Sequence, residues 1–326
     1  MSDQKTIVIG GAGFLGSHFI DVLMEKTKDQ IVCIDNFSMG NRKNLSRHLE
    51  NSRLQIHSVD MCDFKAMEKA CKGAHRIAHF AALKIPRYGG RKDTLTINVF
   101  GTKNVLDIAH KESARVLIIS TSDVYGKNPN VPFKESNDIV LGRSTSARWA
   151  YAISKLYDEQ MAYAYEEAHQ IKMSIVRIFG SYGPRHHLSW WGGPQSVFIS
   201  KLMKGESIEI HGDGQQTRSF CYVSDTVSGL FLAFTKKEAL GEIINIGQDQ
   251  EISILELGKK IHELLGLKGE LPFRLIPLKN LSRDYEDVKR RVPDLTKAKK
   301  LLNWEPLVSL AEGLKKTIAW QKEQAM

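Results

Sequence analysis

Thr6-Ile7-Val8-Ile9-Gly10-Gly11-Ala12-Gly13-Phe14-Leu15-Gly16 is the stretch from which the fold can be read. Thr6 to Ile9 reads as a strand buried on both faces. Three glycines follow, spaced Gly10-x-x-Gly13-x-x-Gly16. From Ser17 to Lys26, apolar Phe19, Ile20, Val22, Leu23 and Met24 recur with helical period. Strand, glycine turn and helix in that order make a seat for a dinucleotide pyrophosphate. The backbone comes close where no side chain intervenes, and the anion meets a helix N-terminus. A glycine triplet alone is a weak signal. Here a second strand, Gln30 to Ile34, ends in Asp35, nineteen residues past Gly16, where a carboxylate binds the adenosine ribose. An acid there repels a 2′-phosphate and favours NAD over NADP, although Arg42 and Lys43 just behind keep NADP open. The competing reading of Asp35 is a turn or helix-cap residue.

The alternation continues outward. Leu54 to Val59 is a strand ending in Asp60, and Phe64 to Cys71 a short helix. His75 to Phe80 is a strand entering Ala81-Ala82-Leu83-Lys84, and Leu95 to His110 a long helix containing Asn98. Val116 to Ser120, the helix Ala150 to His169 and the strand Met173 to Ile178 complete the series. Such repeats predict an α/β fold, a doubly wound parallel sheet that binds ligands at the carboxyl ends of its strands. The pattern changes after Gly180. A loop rich in Gly, Pro, His and Trp contains Trp190-Trp191, either a lid or two packed aromatics. A helix near Val197 to Lys204, a turn at Gly212-Asp213-Gly214 and the stretch Arg218 to Val223 follow. The chain then returns to the sheet near Ile243 to Gly247 and ends in helices around 254–265 and 310–320. We therefore expect a dinucleotide-binding domain at 1–180, with return segments near 220–250, and a smaller, interleaved substrate domain at 181–326.

The chemistry concentrates between Leu117 and Lys155. Leu117-Ile118-Ile119 runs into Ser120-Thr121-Ser122-Asp123, and Tyr151-Ala152-Ile153-Ser154-Lys155 opens a helix. Residues i and i+4 share a helical face, and an ammonium beside a phenol favours the phenolate. Tyr151 with Lys155 is thus a candidate base for an alcohol proton, with a strand-end hydroxyl to hold the alcohol. Alone, Tyr-x-x-x-Lys is as readily a packed Tyr and a solvated Lys; its place in the strand–helix order raises its weight.

The 326 residues, 42% hydrophobic and 25% charged, suit a globular protein with ample core. No apolar run approaches a membrane span and the N-terminus lacks a signal-peptide layout, which predicts a cytoplasmic protein. Cys33, Cys62, Cys71 and Cys221 have no metal-ligand spacing and read as free thiols; no metal site is expected. The net charge of +9 is spread along the chain without a nucleic-acid motif, which favours small anionic substrates over nucleic acid.

Taken in order, these motifs resemble the extended short-chain dehydrogenase/reductase superfamily, in its nucleotide-sugar epimerase/dehydratase branch. Further matches are His79-Phe80-Ala81-Ala82, Asn98-Val99-x-Gly101-Thr102 and Tyr182-Gly183-Pro184-Arg185. The run from Gly212 to Asp225 and Asn303-Trp304-x-Pro306 extend the resemblance over almost the whole chain. It implies a Rossmann-type sheet with NAD on Gly10, Gly13, Phe14, Leu15, Gly16, Asp35, Asn36, Asp60, Met61, Ala81, Ala82 and Asn98. By resemblance Thr121 orients a sugar hydroxyl, with Ser122 beside it. Tyr151 is the base, and Lys155 holds the nicotinamide ribose and lowers the tyrosine pKa. Arg218 and Arg283 are implied as the diphosphate clamp, with Arg185 and Lys84 also on the substrate side. Lys84 is a candidate additional acid, against the reading of a solvated loop lysine.

Gly180 and Ser219 stand where many relatives carry Asn and Asp. Asp123 is the acid of dehydratases and decarboxylases, and a polar Ser122 before it resembles enzymes that dehydrate UDP-N-acetylglucosamine. Thr296 falls where decarboxylases carry an arginine, which sets decarboxylation lower. The expected activity is an NAD-dependent UDP-hexose dehydratase, UDP-N-acetylglucosamine first, with Asp123 as the C5 base; the alternative is a UDP-hexose or UDP-uronate 4-epimerase. A homodimer through the helices 95–110 and 150–169 is expected, as relatives commonly form.

Overall fold

The structure, a computed structural model, describes residues 4–84, 90–281 and 286–325. The first part alternates β1 (Lys5–Ile9), α1 (Phe14–Lys26), β2 (Gln30–Asp35), β3 (Leu54–Ser58), α2 (Phe64–Cys71), β4 (Arg76–His79), α3 (Arg91–Lys111), β5 (Arg115–Thr121), α4 (Trp149–His169) and β6 (Met173–Ile178). Then come β7 (Ser181–Tyr182), α5 (Gly193–Met203), β8 (Ile208–His211), β9 (Thr217–Ser219), β10 (Cys221–Tyr222), α6 (Val223–Thr235) and β11 (Ile243–Ile246). The last elements are β12 (Glu251–Ser253), α7 (Ile254–Leu264), β13 (Phe273–Ile276), α8 (Thr296–Leu302) and α9 (Leu310–Ala325).

Seven strands form one parallel sheet in the order β11-β6-β5-β4-β1-β2-β3. Ile9 pairs with both Ile34 and His79, so Gly10, Asp35 and Phe80 leave the sheet side by side. The winding reverses between β1 and β4, which opens a crevice at their carboxyl ends. Ile7, Val8 and Ile9 are buried because helices cover both faces. On one face Phe19, Ile20 and Leu23 of α1 pack with Leu230 and Phe234 of α6 and with Trp304. On the other, Met67 of α2, Val105 and Leu106 of α3 and Ala162 of α4 close the core. A third cluster joins Phe198, Leu202, Ile208, Leu257, Leu314 and Ile318 outside the sheet.

Two helices went unread in the sequence, along with the short strands β8, β12 and β13. Val223–Thr235 is a helix beside α1, not an extended return to the sheet. Its Val223, Val227, Leu230 and Phe234 are buried at helical spacing, but Phe231 and Leu232 on its outer side are apolar too and blur the period. Short α8 was also missed; Asn303 ends it in the left-handed conformation. The helix expected from Val197 begins earlier, at Gly193, with Pro194 in its first turn, where a missing N–H costs nothing. None of the described helices is long and apolar enough to cross a membrane.

Candidate active site

A cavity of about 560 Å³ opens at the carboxyl ends of the sheet. Gly10, Gly13, Phe14, Leu15 and Gly16 form one wall. A Cβ on Gly10, at φ 78°, would stand 2.6 Å from the Ala81 nitrogen, and one on Gly16 would stand 2.2 Å from the Gly10 oxygen. The loop is therefore drawn tight against the end of β4. The N-terminus of α1 has no side-chain cap and no acid in its first turn, so its N–H groups face the cavity. An anion such as a dinucleotide pyrophosphate fits that place.

Asp35 is buried beside this loop. Its Oδ2 accepts from Ala12 N at 2.9 Å and its Oδ1 from Phe37 N at 2.9 Å. Asp60 accepts from Asn36 Nδ2 at 2.9 Å and from Cys62 N at 2.8 Å, next door at the end of β3. Met61 is buried, packed where Gly101 of α3 leaves room. Ala82 lines the cavity, whereas Asn98 is committed to the protein. It accepts from Leu83 N at 2.7 Å and donates to Ser154 Oγ at 2.9 Å, tying the loop after β4 to α4.

Thr121, Ser122, Asp123 and Tyr151 line the cavity together, as expected. Ser120, also at its edge, donates to the buried Glu159, which in turn holds Arg177 through bonds of 2.9 and 2.7 Å. Lys155 has a charged partner that the sequence reading did not name. Its Nζ donates to Asp158 Oδ2 at 2.7 Å, with both side chains buried. Burial raises the Tyr151 phenol above its ordinary value, and Asp123 and Asp158 add to the rise.

The charge cluster around Asp123 has no signature in local sequence. Arg291 Nη2 is 2.7 Å from Asp123 Oδ1, and Arg148 Nη2 is 3.7 Å from the same oxygen and 3.5 Å from Asp287. Arg218 bonds Asp287 at 2.9 Å and the Val288 carbonyl at 2.8 Å. Burial alone would raise the Asp123 pKa. Arg291, Arg148, Arg218 and Lys84 outweigh it and hold the carboxyl below its usual range. Lys84 lines the same cavity and is not a solvated loop lysine; burial lowers it to about 8, with Asp123 pulling the other way. Arg291 lies far from the strand–helix motifs in sequence, and Arg148 stands just before α4, where no apolar period marks it, which is why periodicity passes over both.

Three expectations need correcting or narrowing. Arg185 pairs with Asp21 of α1 at 2.8 Å and does not line the cavity. Its backbone, at φ 66°, turns the side chain out along α1. Arg283 lies outside the described residues. Thr296 is exposed at the start of α8, off the cavity, so its identity says little about a substrate there. Gly180 and Ser219 prove to be neighbours: a Cβ on Gly180 would stand 2.3 Å from the Ser219 oxygen. Trp190 and Trp191 both line the cavity, and Trp190 also stacks on His211 at 4.5 Å, so it is both wall and anchor. His186 stacks on Phe14 at 4.0 Å, and His18 meets the Pro184 carbonyl at 3.0 Å. The loop after β7 thereby closes over the glycine turn.

A family model described as GDP-mannose 4,6 dehydratase matches residues 7–317. UDP-glucuronic acid decarboxylase 5 of Arabidopsis thaliana is 36% identical over 319 residues, covering 96% of this chain and 88% of the relative. The UDP-N-acetyl-alpha-D-glucosaminuronate decarboxylase of Bacillus cytotoxicus is 34% identical over 326 residues, 98% of each chain. The solved UDP-glucuronic acid 4-epimerase of Bacillus cereus, in complex with UDP-glucuronic acid and NAD, shares the fold at a TM-score of 0.87. It is 27% identical, over 98% of this chain and 100% of the other.

Proposed function

The chain belongs to the GDP-mannose 4,6 dehydratase family, NAD-dependent nucleotide-sugar enzymes of the extended short-chain dehydrogenase/reductase type, and from that premise we propose that it decarboxylates a UDP-hexuronate. The observation that carries this reading is the Arg291–Asp123 pair at 2.7 Å, with Arg148, Arg218 and Lys84 around it. Dehydration asks Asp123 to take the C5 proton. A carboxylate held ionised by guanidinium groups is a weak base. Decarboxylation asks for no such base. Once C4 is a ketone, the C6 acid is a β-keto acid. Carbon dioxide leaves, the C5–C6 electron pair passes into the C4 enolate, and a proton from water in the cavity then adds at C5 to restore the C4 ketone.

NAD, when bound, accepts the C4 hydride and returns it. Its pyrophosphate would rest on the uncapped end of α1, and its ribose beside Asp35. Tyr151 takes the C4 hydroxyl proton, and Thr121 holds that oxygen and the enolate formed from it. Arg291 and Arg148, whose forks suit carboxylates, receive the uronate carboxylate in exchange for part of their contact with Asp123. Arg218, which lines the same cavity, meets the diphosphate. The decarboxylases of Arabidopsis and Bacillus support the reaction class. The Bacillus cereus epimerase supports the second reading, 4-epimerisation of the same uronate.

Incubation with UDP-glucuronic acid and with UDP-N-acetylglucosamine, read by product mass, separates the readings. Loss of carbon dioxide from the uronate is expected. A product of unchanged mass and altered retention would replace decarboxylation by epimerisation. Loss of water from UDP-N-acetylglucosamine would restore the dehydratase.

A further inference from the structure

We infer that Asp158 is a positioning residue for Lys155, and that the Lys155–Asp158 pair, rather than the lysine alone, sets the pH range over which Tyr151 can act as base. The inference rests on Tyr151 serving as that base, and on geometry. Lys155 Nζ and Asp158 Oδ2 are 2.7 Å apart, with the lysine 1% and the aspartate 0% exposed. They lie three residues apart on α4, about one and two turns past Tyr151.

The pair has no evident use in the fold alone. A buried ion pair adds little stability over an apolar pair of similar volume. This one also leaves Asp158 Oδ1 without a hydrogen-bond partner among the described residues, a cost that a purely structural carboxylate would shed. Its surroundings are polar from every side. Glu159 follows on α4 and is occupied by Arg177 and Ser120. His79 of β4 lies close enough for Lys155 to depress its pKa to about 3, after burial, so it stays neutral. The Thr102 hydroxyl of α3 stands between His79 Nε2, at 3.0 Å, and the Asp158 carboxylate. Asp123 faces Tyr151 from the end of β5. Asp158 is thus in contact with Lys155 and also acts on Tyr151, whose ionisation it opposes.

Removing the negative charge makes the Tyr151–Lys155 pair release each proton more readily. Both limbs of the kcat–pH profile of Asp158→Asn should therefore move to lower pH, by about one unit or more. Spectrophotometric tyrosinate titration of the NAD-loaded protein without substrate, each variant read against its Tyr151→Phe counterpart, should show the Tyr151 ionisation displaced from wild type. Asp158→Glu, which keeps the charge, should hold the limbs near their original place. Asp158→Ala removes the charge while leaving room for a water, and takes the same measurements should the Asn variant not fold. A folded charge-removed variant with lower kcat but unmoved limbs and unmoved titration would make Asp158 a purely structural residue and overturn the inference. Because the titration uses no sugar, it stands whether or not the product mass bears out decarboxylation.

Discussion

Lys84 sits on a cavity wall with its ammonium depressed to about 8, chiefly by burial. Its charge is present below that pH and lost above it. kcat/KM for an anionic UDP-sugar should therefore fall as pH rises through about 8. Lys84→Met should lower kcat/KM about tenfold at neutral pH, the scale of one lost charge-assisted contact, and flatten the alkaline fall. An unchanged alkaline limb in Lys84→Met would assign that limb to another group. The sequence made Lys84, Thr121, Asp123 and Tyr151 legible because each follows a strand or opens a helix at a recognisable offset. Arg148, Arg291 and Asp287 were not legible. They come from two segments, the residue before α4 and the stretch 287–291, and only the tertiary structure brings them to the end of β5. The Lys155–Asp158 contact was within reach of an i, i+3 reading of α4, but the expectation of a Tyr–Lys pair left it aside.

At the scale of elements, the parallel sheet followed from apolar runs and glycine spacing, and its strands lie within a residue or two of the positions read. What periodicity missed, α6 and α8, is held by a polar staple with no local signature. Asp225 of α6 accepts through Oδ2 from Leu307 N at 2.9 Å and Val308 N at 2.7 Å. Trp304 Nε1 donates to Ser228 Oγ at 2.9 Å and lies 3.2 Å from the Asp225 carbonyl. Motifs that resemblance alone made notable, Asp225 and Asn303-Trp304, thus join α6 to the segment between α8 and α9. Asp225→Ala removes the acceptor for two backbone donors. It should cost about 1–3 kcal/mol in urea unfolding, towards the low end because the chain at Leu307 is open to water. Leu307 itself is 80% exposed. Loss of activity without loss of stability would instead tie Asp225 to the site.

For the whole molecule, the surface of α3 and α4 raises the question of assembly. The two helices pack against each other along the sheet, and their outer sides carry Phe100 at 56%, Ile153 at 43% and Tyr157 at 43% exposure. Single exposed hydrophobics are ordinary, but Ile153 and Tyr157 share one helical face and Phe100 lies on the adjoining helix. The i+4 series that starts at Tyr157 does not stay on the surface. Met161 and Tyr165 are partly buried, and Tyr165 bonds Asp107. A two-fold pairing would bury the same patch on both copies, the commonest form of soluble assembly. The same helix carries Tyr151, Lys155 and Asp158 on its inner side, so a partner packed on its outer side would brace the catalytic geometry. Light scattering at micromolar concentration should therefore give twice the 36.8 kDa chain mass. Ile153→Glu with Tyr157→Arg should shift the protein to monomer and lower its melting temperature. A wild-type chain that scatters as a monomer would leave the patch without a partner of its own kind. A monomeric variant with full kcat would show that α4 needs no bracing from outside.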